Sequence, residues 1–279
     1  MAEEILKMVN ITKRFAGITA LDRVQFSCSK GEVHVLAGEN GAGKSTILKI
    51  LAGIHQADEG EIYFHGKKVV IRNPEQSQKL GIAMVFQELT LVGEMTVWEN
   101  IYLNQEPVTR LGRINRKEIK KRILDVMARY GIHIDPDAPV GSLPVAEQQM
   151  AEILKILVRD PELIILDEPT SALAKKEVEQ LYQIIHNLIA DGKTIIFISH
   201  RLEELFELGD RITVFKDGCY IGTRNMNEIN EDDLIRMMVG RSLNHVFPPP
   251  VCEVDDSQVI FEVKNLADAN HKLNQVSFQ

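Results

Sequence analysis

The chain contains few cysteines, few aromatic residues and no long apolar run. Its 279 residues include three cysteines (Cys28, Cys219 and Cys252), one tryptophan and 6% aromatic residues. Three widely separated cysteines suit a reducing compartment and show no metal-ligand spacing. No apolar segment approaches the roughly 20 residues that span a bilayer, and the acidic start "MAEEILKMVN" lacks the features of a signal peptide. We therefore expect any membrane role to require a partner.

The chain also lacks an excess of positive charge. It has 32 Lys and Arg residues against 40 Asp and Glu, which gives a formal net charge of -8. Because general polyanion binding requires a basic surface, we expect no nucleic-acid partner. The remaining composition, 44% hydrophobic and 26% charged, is that of an ordinary globular protein. The length predicts one large domain, or one domain and a fragment.

Short apolar runs in the chain predict an α/β fold. The runs are "VHVLAG" (33–38), "LIILDE" (163–168), "TIIFIS" (194–199) and "RITVF" (211–215), and a helical pattern separates the second from the third. Continuous apolar strands that alternate with helices predict a mostly parallel sheet covered on both faces. "EIYFHGKKVVI" (61–71) indicates an N-terminal antiparallel β subdomain. Residues 90–160 are predicted to form a helical insertion, with "NRKEIKKRILDVMARYGI" as its clearest amphipathic helix.

The sequence changes character after the first 242 residues. "VFPPPVCEVDDS" (246–257) is typical of a stiff, extended linker, which we place at 243–257. Beyond it, "IFEVKNL" (260–266) is similar to "ILKMVNI" (5–11), and "LNQVSFQ" (273–279) to "LDRVQFS" (21–27), with five of fourteen positions identical. If this repeat is genuine, residues 258–279 begin a second, truncated copy of the domain at 1–242.

"GENGAGKST" (38–46) is a phosphate-binding loop between a predicted strand and a helix. It fits G-x-x-x-x-G-K-[ST], and its residues are candidates for nucleotide contacts: Gly38, Glu39, Asn40, Gly41, Ala42, Gly43, Lys44, Ser45 and Thr46. The glycines let backbone N–H groups surround an anion at the positive end of the helix. Lys44 would contact the β- and γ-phosphates, and Ser45 would ligate Mg²⁺. The segment predicts a nucleoside triphosphate site.

Polar residues at the ends of other apolar runs complete this prediction. In "LIILDEPTSALA", Asp167 is placed to hold Mg²⁺, and Glu168 to orient or deprotonate an attacking water, because Pro169 ends the strand at the sheet edge where ligands bind. His200 ends "TIIFISH", where its imidazole could face the γ-phosphate. Gln87, in "AMVFQEL", offers an amide suited to contact with metal or water.

Together these segments resemble the nucleotide-binding domain of ABC transporters over about residues 4–240. "GENGAGKS" resembles the family's Walker A motif and "LIILDE" its Walker B motif. Gln87 matches the Q-loop, His200 the switch histidine, and Phe15 the upstream aromatic residue that stacks on adenine. "MVFQELTLVGEMTVWENIYL" (84–103) is especially similar to the ATPases of bacterial ribose, xylose and galactose importers, which carry two such domains in one chain.

The resemblance implies cofactors, partners and a location. The cofactors are ATP and Mg²⁺. The partners are a second ABC domain (in the same full-length chain, or in a homodimer of the fragment), membrane permease subunits and, indirectly, a solute-binding protein. The location is cytoplasmic, peripheral on the inner face of the bacterial cell membrane. In this family two domains meet head to tail, and each ATP lies between one phosphate loop and the other domain's signature segment.

The signature is where this sequence departs from the family. The family's Leu-Ser-Gly-Gly-Gln falls on Leu143, Pro144, Val145, Ala146 and Glu147, and Ser142 and Gln148 flank it in the signature segment. Pro144 has neither the serine hydroxyl nor a backbone N–H, and losing one donor to a charged acceptor costs about 1.5–3 kcal/mol. Ala146 adds a methyl group where the chain should approach nucleotide, and Ala174 replaces an expected Asp. The helix should still form, since proline is tolerated in a first turn and the apolar spacing of 146–158 is helical.

These features lead us to expect an ATP-hydrolysing subunit of a bacterial importer, for a monosaccharide. One alternative is a soluble twin-domain ABC protein acting on ribosomes, although such proteins typically have a longer, charged helical linker. Another is a nucleotide-binding regulatory module with low turnover, which the altered signature favours and the intact Walker motifs oppose. The sugar is not specified by these residues, because selectivity in such systems lies in the membrane and solute-binding subunits.

Overall fold

The computed structural model describes residues 3–109, 112–240, 261–267 and 275–278. The chain divides into two units, Met1–Arg241 and Ser242–Gln279. The predicted linker at 243–257 lies outside the described residues. No helix among the described residues has the length and apolar character needed to cross a membrane.

The first unit contains ten strands and eight α-helices among its described residues. The strands are β1 (Glu4–Phe15), β2 (Ile18–Ser29), β3 (Val33–Ala37), β4 (Glu59–Phe64), β5 (Lys67–Val69), β6 (Ile82–Val85), β7 (Leu163–Asp167), β8 (Thr194–Ile198), β9 (Arg211–Lys216) and β10 (Cys219–Asn225). The helices are α1 (Lys44–Leu51), α2 (Pro74–Lys79), α3 (Val97–Tyr102), α4 (Arg116–Tyr130), α5 (Val145–Leu157), α6 (Lys175–Ala190), α7 (Leu202–Leu208) and α8 (Glu231–Val239).

These strands form two sheets, as the sequence predicts. The first is antiparallel, with strand order β2-β1-β4-β5, and contains the predicted hairpin at 61–71. The second has the order β10-β9-β3-β8-β7-β6 and is parallel except for β10, which pairs antiparallel with β9. Every residue of β3, β7 and β8 is buried, which explains their uninterrupted apolar sequence. The predicted α/β class and both sheets are confirmed.

The segment predicted as a helical insertion contains α3, α4 and α5. Thr96 and Glu99 form a capping box that begins α3. Helix α4 occupies nearly the whole predicted amphipathic segment and ends at Gly131 in the left-handed conformation. Helix α5 begins after Pro144, and its buried face carries the apolar residues that predicted it: Met150, Ile153, Leu154 and Leu157. Connecting segments separate the three helices, so the insertion is less helical than a continuous bundle.

The parallel sheet determines where polar side chains can gather. Strands β3, β6, β7 and β8 run in the same direction, so their carboxyl ends lie at one edge. The phosphate loop follows β3, Gln87 follows β6, Glu168 follows β7, and His200 follows β8. Ligands bind at this edge in open α/β sheets.

The second unit contains a hairpin of β11 (Val263–Leu266) and β12 (Val276–Phe278) among its described residues. Its two cross-strand pairs match the proposed repeat: Val263 with Phe278 corresponds to Met8 with Phe26, and Leu266 with Val276 corresponds to Ile11 with Val24. The left-handed residues match too: Asn265 at φ 53° corresponds to Asn10 at φ 53°, and Gln275 at φ 50° to Arg23 at φ 47°. Two copies of one hairpin would share these features.

Candidate functional site

The phosphate loop owes its conformation to two glycines with positive φ. Gly43 (φ 97°) precedes α1, and a Cβ there would lie 2.5 Å from Leu21 Cδ2 and 2.8 Å from Ala20 O. At Gly38 (φ 152°) a Cβ would lie 2.2 Å from Phe215 O. Only glycine fits such positions. Because no side chain caps the start of α1, its first backbone N–H groups are available to an anion.

Lys44 is held inside this loop. Its Nζ donates to Gly38 O at 2.7 Å and to Glu39 O at 3.0 Å, and the residue is 8% exposed. An ammonium has three donors, so one N–H remains for a further acceptor. Burial lowers the pKa of Lys44, and this effect outweighs the opposing influence of Glu168 and Asp167. A buried cation with a spare donor suits a phosphate oxygen.

A cavity of about 380 Å³ lies over the loop. Nine residues line it, all of them predicted site residues: Asn40, Gly41, Gly43, Lys44, Ser45, Thr46, Gln87, Glu168 and His200. They come from four separate segments of the chain. In the sequence these segments share only their position after an apolar run, and in the structure they line one cavity.

Glu168 is the centre of the polar contacts in this cavity. Its Oε2 accepts a hydrogen bond from Gln87 Nε2 at 3.0 Å, and its Oε1 lies 2.5 Å from His200 Nε2. The backbone at Glu168 is left-handed (φ 50°), and its N–H donates to Ile198 O at 3.0 Å. This conformation costs about 1–3 kcal/mol, and such strain is typical of functional sites. The carboxylate therefore stands between two polar groups that approach it from other strands.

Asp167, which immediately precedes Glu168, is 7% exposed and is not among the residues that line the cavity. Burial, and secondarily the neighbouring Glu168, raises the pKa of Asp167 above its usual range. Burial and the charge of Glu168 thus outweigh the nearby cations, which act to lower the pKa of Asp167. The hydroxyl of Ser45, the amide oxygen of Gln87 and these carboxylates are the oxygen ligands that Mg²⁺ prefers. The donor set fits this metal.

Four further predicted residues lie outside the cavity lining. Gly38 and Glu39 contribute through the carbonyls that accept from Lys44, and Ala42 is buried in the turn where its N–H donates to Glu39 O. Phe15 is 39% exposed, and its ring meets His55 edge-on at 5.1 Å between centroids. An adenine contact at Phe15 stays a prediction.

The signature segment does not line this cavity. Its residues bond locally: Ser142 Oγ donates to Pro139 O at 2.7 Å, and Gln148 Nε2 donates to Leu143 O at 2.8 Å. Pro144 occupies the N-cap of α5, one position earlier than the first turn, and no side chain caps that helix. Pro144 and Val145 are both exposed. The segment is thus a well-formed helix start with a surface free for another contact.

Sequence reasoning missed two buried carboxylates beside these loops. Glu152 on α5 is 5% exposed and accepts hydrogen bonds from Thr90 N and Thr90 Oγ1, three residues after Gln87. Glu204 on α7 is 3% exposed and accepts from two hydroxyls. The sequence did carry one signal, since each glutamate stands among the apolar positions of an amphipathic helix. A glutamate on a buried face almost always has a partner.

A buried Cys–Glu–His cluster, also unpredicted, lies outside the cavity. Ligand atoms of Cys28, Glu32 and His34 lie within 4.8 Å of one another. However, His34 already contacts Glu32 Oε1 and Thr213 Oγ1, each at 2.8 Å, and the Arg211 guanidinium lies 3.3 Å from Glu32. Burial raises the pKa of the Cys28 thiol well above its usual range. A neutral thiol beside a satisfied, cation-paired glutamate indicates a structural network.

Comparison with known proteins identifies the family. The profile described as "ABC transporter" matches residues 21–171. The chain belongs to the ABC transporter family. Solved ABC structures share its fold. A nucleotide-free ATP-binding cassette from an ABC transporter is 29% identical, with a TM-score of 0.71, and the match covers 80% of this chain and 91% of the cassette. The dimeric MJ0796, a bacterial ABC transporter cassette, is 27% identical, with 79% and 98% coverage and a TM-score of 0.69.

Curated relatives of this ABC protein are named as sugar import ATP-binding proteins. The putative ribose/galactose/methyl galactoside import ATP-binding protein 1 of Burkholderia cenocepacia (strain HI2424) is 45% identical over 100% of this chain and 53% of its own length. The ribose import ATP-binding protein RbsA 3 of Rubrobacter xylanophilus is 41% identical over 99% of this chain and 55% of its own length. The chain thus spans about half the length of these relatives.

Proposed function

We propose that this chain binds ATP with Mg²⁺ in the Lys44 cavity and hydrolyses ATP to energise a bacterial importer. The observation that carries the proposal is the convergence of Lys44, Gln87, Glu168 and His200 on one cavity beside a phosphate loop. A regulatory module with little turnover would need the loop and its lysine, but not a carboxylate and an imidazole held 2.5 Å apart.

The residues divide the work of phosphoryl transfer to water. Lys44 and the α1 N-terminus bind the β- and γ-phosphates and stabilise the charge that develops on them. Glu168 accepts a hydrogen bond from the attacking water and orients it toward the γ-phosphate. His200 holds Glu168 and faces the same phosphate. Catalysis is then mainly positioning and electrostatic stabilisation.

Ser45, Gln87 and Asp167 would hold Mg²⁺ at this site. When bound, the metal neutralises phosphate charge during transfer. Its charge would also offset the burial that raises the pKa of Asp167.

We infer a monosaccharide as the transported substrate from the names of the relatives, which include ribose and galactose import proteins. The partners would be membrane permease subunits, a second ABC domain and, indirectly, a solute-binding protein. Permease contact would place the chain on the inner face of the cell membrane. The matching registers of the two hairpins support a second domain in the same full-length chain, joined through the segment at 243–257.

The altered signature implies two unequal ATP sites in that full-length protein. In the head-to-tail arrangement of this family, Pro144 faces the second domain's phosphate loop. The site built on Lys44 keeps its own residues and would hydrolyse ATP, while the site that faces Pro144 would be slower by the loss of one donor. The isolated chain, which offers only its own signature, should bind ATP and hydrolyse it slowly.

The test is ATPase activity of the full-length protein with its permease subunits. Lys44→Ala and the equivalent substitution in the second domain are compared with Lys79→Ala, which removes an exposed lysine remote in sequence from the loop. We expect the larger loss of turnover from Lys44→Ala. Equal losses would overturn the asymmetry, and failure to co-purify with membrane subunits would favour a soluble ABC protein. A complex that assembles and binds ATP but shows no turnover would favour the regulatory module.

A further inference from the structure

One buried carboxylate joins the two loops that carry Glu168 and His200. Glu204 lies on α7 and is 3% exposed. Its Oε2 accepts a hydrogen bond from Thr170 Oγ1 at 2.7 Å and another from Ser199 Oγ at 2.5 Å. Thr170 follows Glu168 by two residues, and Ser199 immediately precedes His200. Glu204 thus bonds to both loops at once, although it does not line the cavity.

Glu204 also contacts the residues on both sides of His200 in the sequence. Its Oε1 accepts from Arg201 Nη1 at 3.2 Å, and Ser199 Oγ accepts from Arg201 N at 3.0 Å. The residues on either side of His200 are therefore tied to each other and to Glu204. His200 itself is exposed, and its polar contact in the described structure is Glu168.

A charged, acceptor-only group is needed at this position. Two hydroxyls donate to one oxygen while a guanidinium donates to the other, so both oxygens of the carboxylate serve as acceptors. A glutamine would place its NH₂ group either against Arg201 or against the two hydroxyls. In the second orientation Ser199 would have to accept twice, because it already accepts from Arg201 N. The first orientation breaks the Arg201 contact beside His200, and the second leaves the Thr170 and Ser199 hydroxyls without their acceptor.

We propose that Glu204 is a positioning residue, which acts through His200 to set the His200–Glu168 contact in the reactive geometry. This inference rests on the proposed ATP hydrolysis. Since Lys44 and the phosphate loop make none of these contacts, the effect should fall on kcat while KM for ATP stays unchanged. Misplacement of a catalytic group by a fraction of an ångström is enough to slow a reaction markedly.

The test is a double-mutant cycle in the full-length transporter complex, with hydrolysis followed by release of radiolabelled phosphate from ATP. Glu204→Gln should lower kcat about tenfold with KM within about twofold of wild type. Its neighbour Glu203→Gln is the matched control, because Glu203 is exposed on the same helix, and should leave both constants unchanged. In a His200→Ala background, Glu204→Gln should lower kcat much less, since coupled residues are not additive and only the Thr170 contact beside Glu168 remains to be lost.

The outcomes separate positioning from stability. An equal loss from Glu204→Gln in the wild-type and His200→Ala backgrounds would overturn the inference, as would a kcat equal to that of Glu203→Gln. If Glu204→Gln fails to fold, Thr170→Val and Thr170→Ser decide the matter: the valine should lower kcat about threefold and the serine should restore it, and equal kcat values for the two would overturn the inference. A wild-type complex without hydrolysis would overturn the proposed function, and this inference with it.

Discussion

Two helices in this molecule, α1 and α5, both begin without a side-chain cap but differ in their capacity to bind phosphate. Helix α1 begins at Lys44 after Gly43, and α5 begins at Val145 after Pro144, and neither N-cap has a side-chain cap. Gly43 is left-handed at φ 97°, so the loop curls over the helix end, whereas Pro144 at φ -55° carries the chain in extended form with no N–H. The apolar face forms a helix in both cases, but only the residues before it decide whether that end can bind phosphate.

The largest expected effect tests whether the Lys44 side of this comparison is a hydrolytic site. Glu168→Gln keeps the shape of the side chain but removes the carboxylate that faces His200 and Gln87. We expect turnover to fall by roughly 10²–10⁴-fold, the usual contribution of a positioned acid or base, with ATP affinity retained. Phosphate release and equilibrium binding measure the two quantities.

Glu179→Gln, on the exposed face of α6, provides the control and should behave as wild type. If Glu168→Gln kept more than about a tenth of wild-type turnover, another residue would have to activate the water. A parallel loss of binding would instead show that Glu168 holds the nucleotide.

A second prediction breaks the Lys44 helix start itself. Gly43→Ala forces a Cβ to within 2.8 Å of the backbone oxygen of Ala20 and 2.5 Å of Leu21 Cδ2, so the loop must move away from the end of α1. We expect ATP affinity to fall about 100-fold, since two or more hydrogen bonds to charged oxygens would be lost. Gly17→Ala is the matched control, because Gly17 also has positive φ (87°) but nothing lies within 4 Å of its added Cβ. Equal effects of the two substitutions on affinity would mean that backbone strain, and not loop shape, is responsible.

A third prediction converts the other helix start toward the first. Pro144→Ser supplies both a hydroxyl and a backbone N–H at the N-cap of α5, where serine is a favoured residue. In the full-length complex with Lys44→Ala, the remaining turnover should rise about tenfold, which corresponds to regaining one donor to a charged acceptor. Pro107→Ser, outside the signature segment, should leave the rate unchanged. A rate that Pro144→Ser does not raise would show that Ala146, and not the missing donor, limits this site.

The comparison also shows what the sequence could predict. The buried strands and the phosphate loop were predictable because each is a local pattern: continuous apolar residues for β3 or β7, and glycine spacing around Lys44. The partners of Glu204 and Glu152 were not, since Thr170 and Thr90 come close to them only through tertiary packing. The left-handed backbone of Glu168 was likewise hidden, because no glycine marks it. Local pattern thus predicts elements and loops, while the links between loops depend on the fold.

The smallest expected effect concerns the stability cost of the buried carboxylate of Asp167 at the Lys44 site. The signature segment carries no such cost. Burial, and then Glu168, raises the pKa of Asp167, so the folded protein holds that proton more tightly than the unfolded chain does. Stability therefore falls as pH rises from the unfolded to the folded pKa of Asp167, and the penalty is complete above the folded pKa. Asp167→Asn should raise the ligand-free Tm at neutral pH, because the asparagine carries no charge for burial to penalise. The difference should vanish below the unfolded pKa, and Asp125→Asn, on the exposed face of α4, should show no gain. Adding ATP and Mg²⁺ should reverse the order, because the metal that Asp167 would hold stabilises the wild type more than the variant. A ligand-free Tm that Asp167→Asn lowers would mean that the carboxylate is already compensated in the free protein.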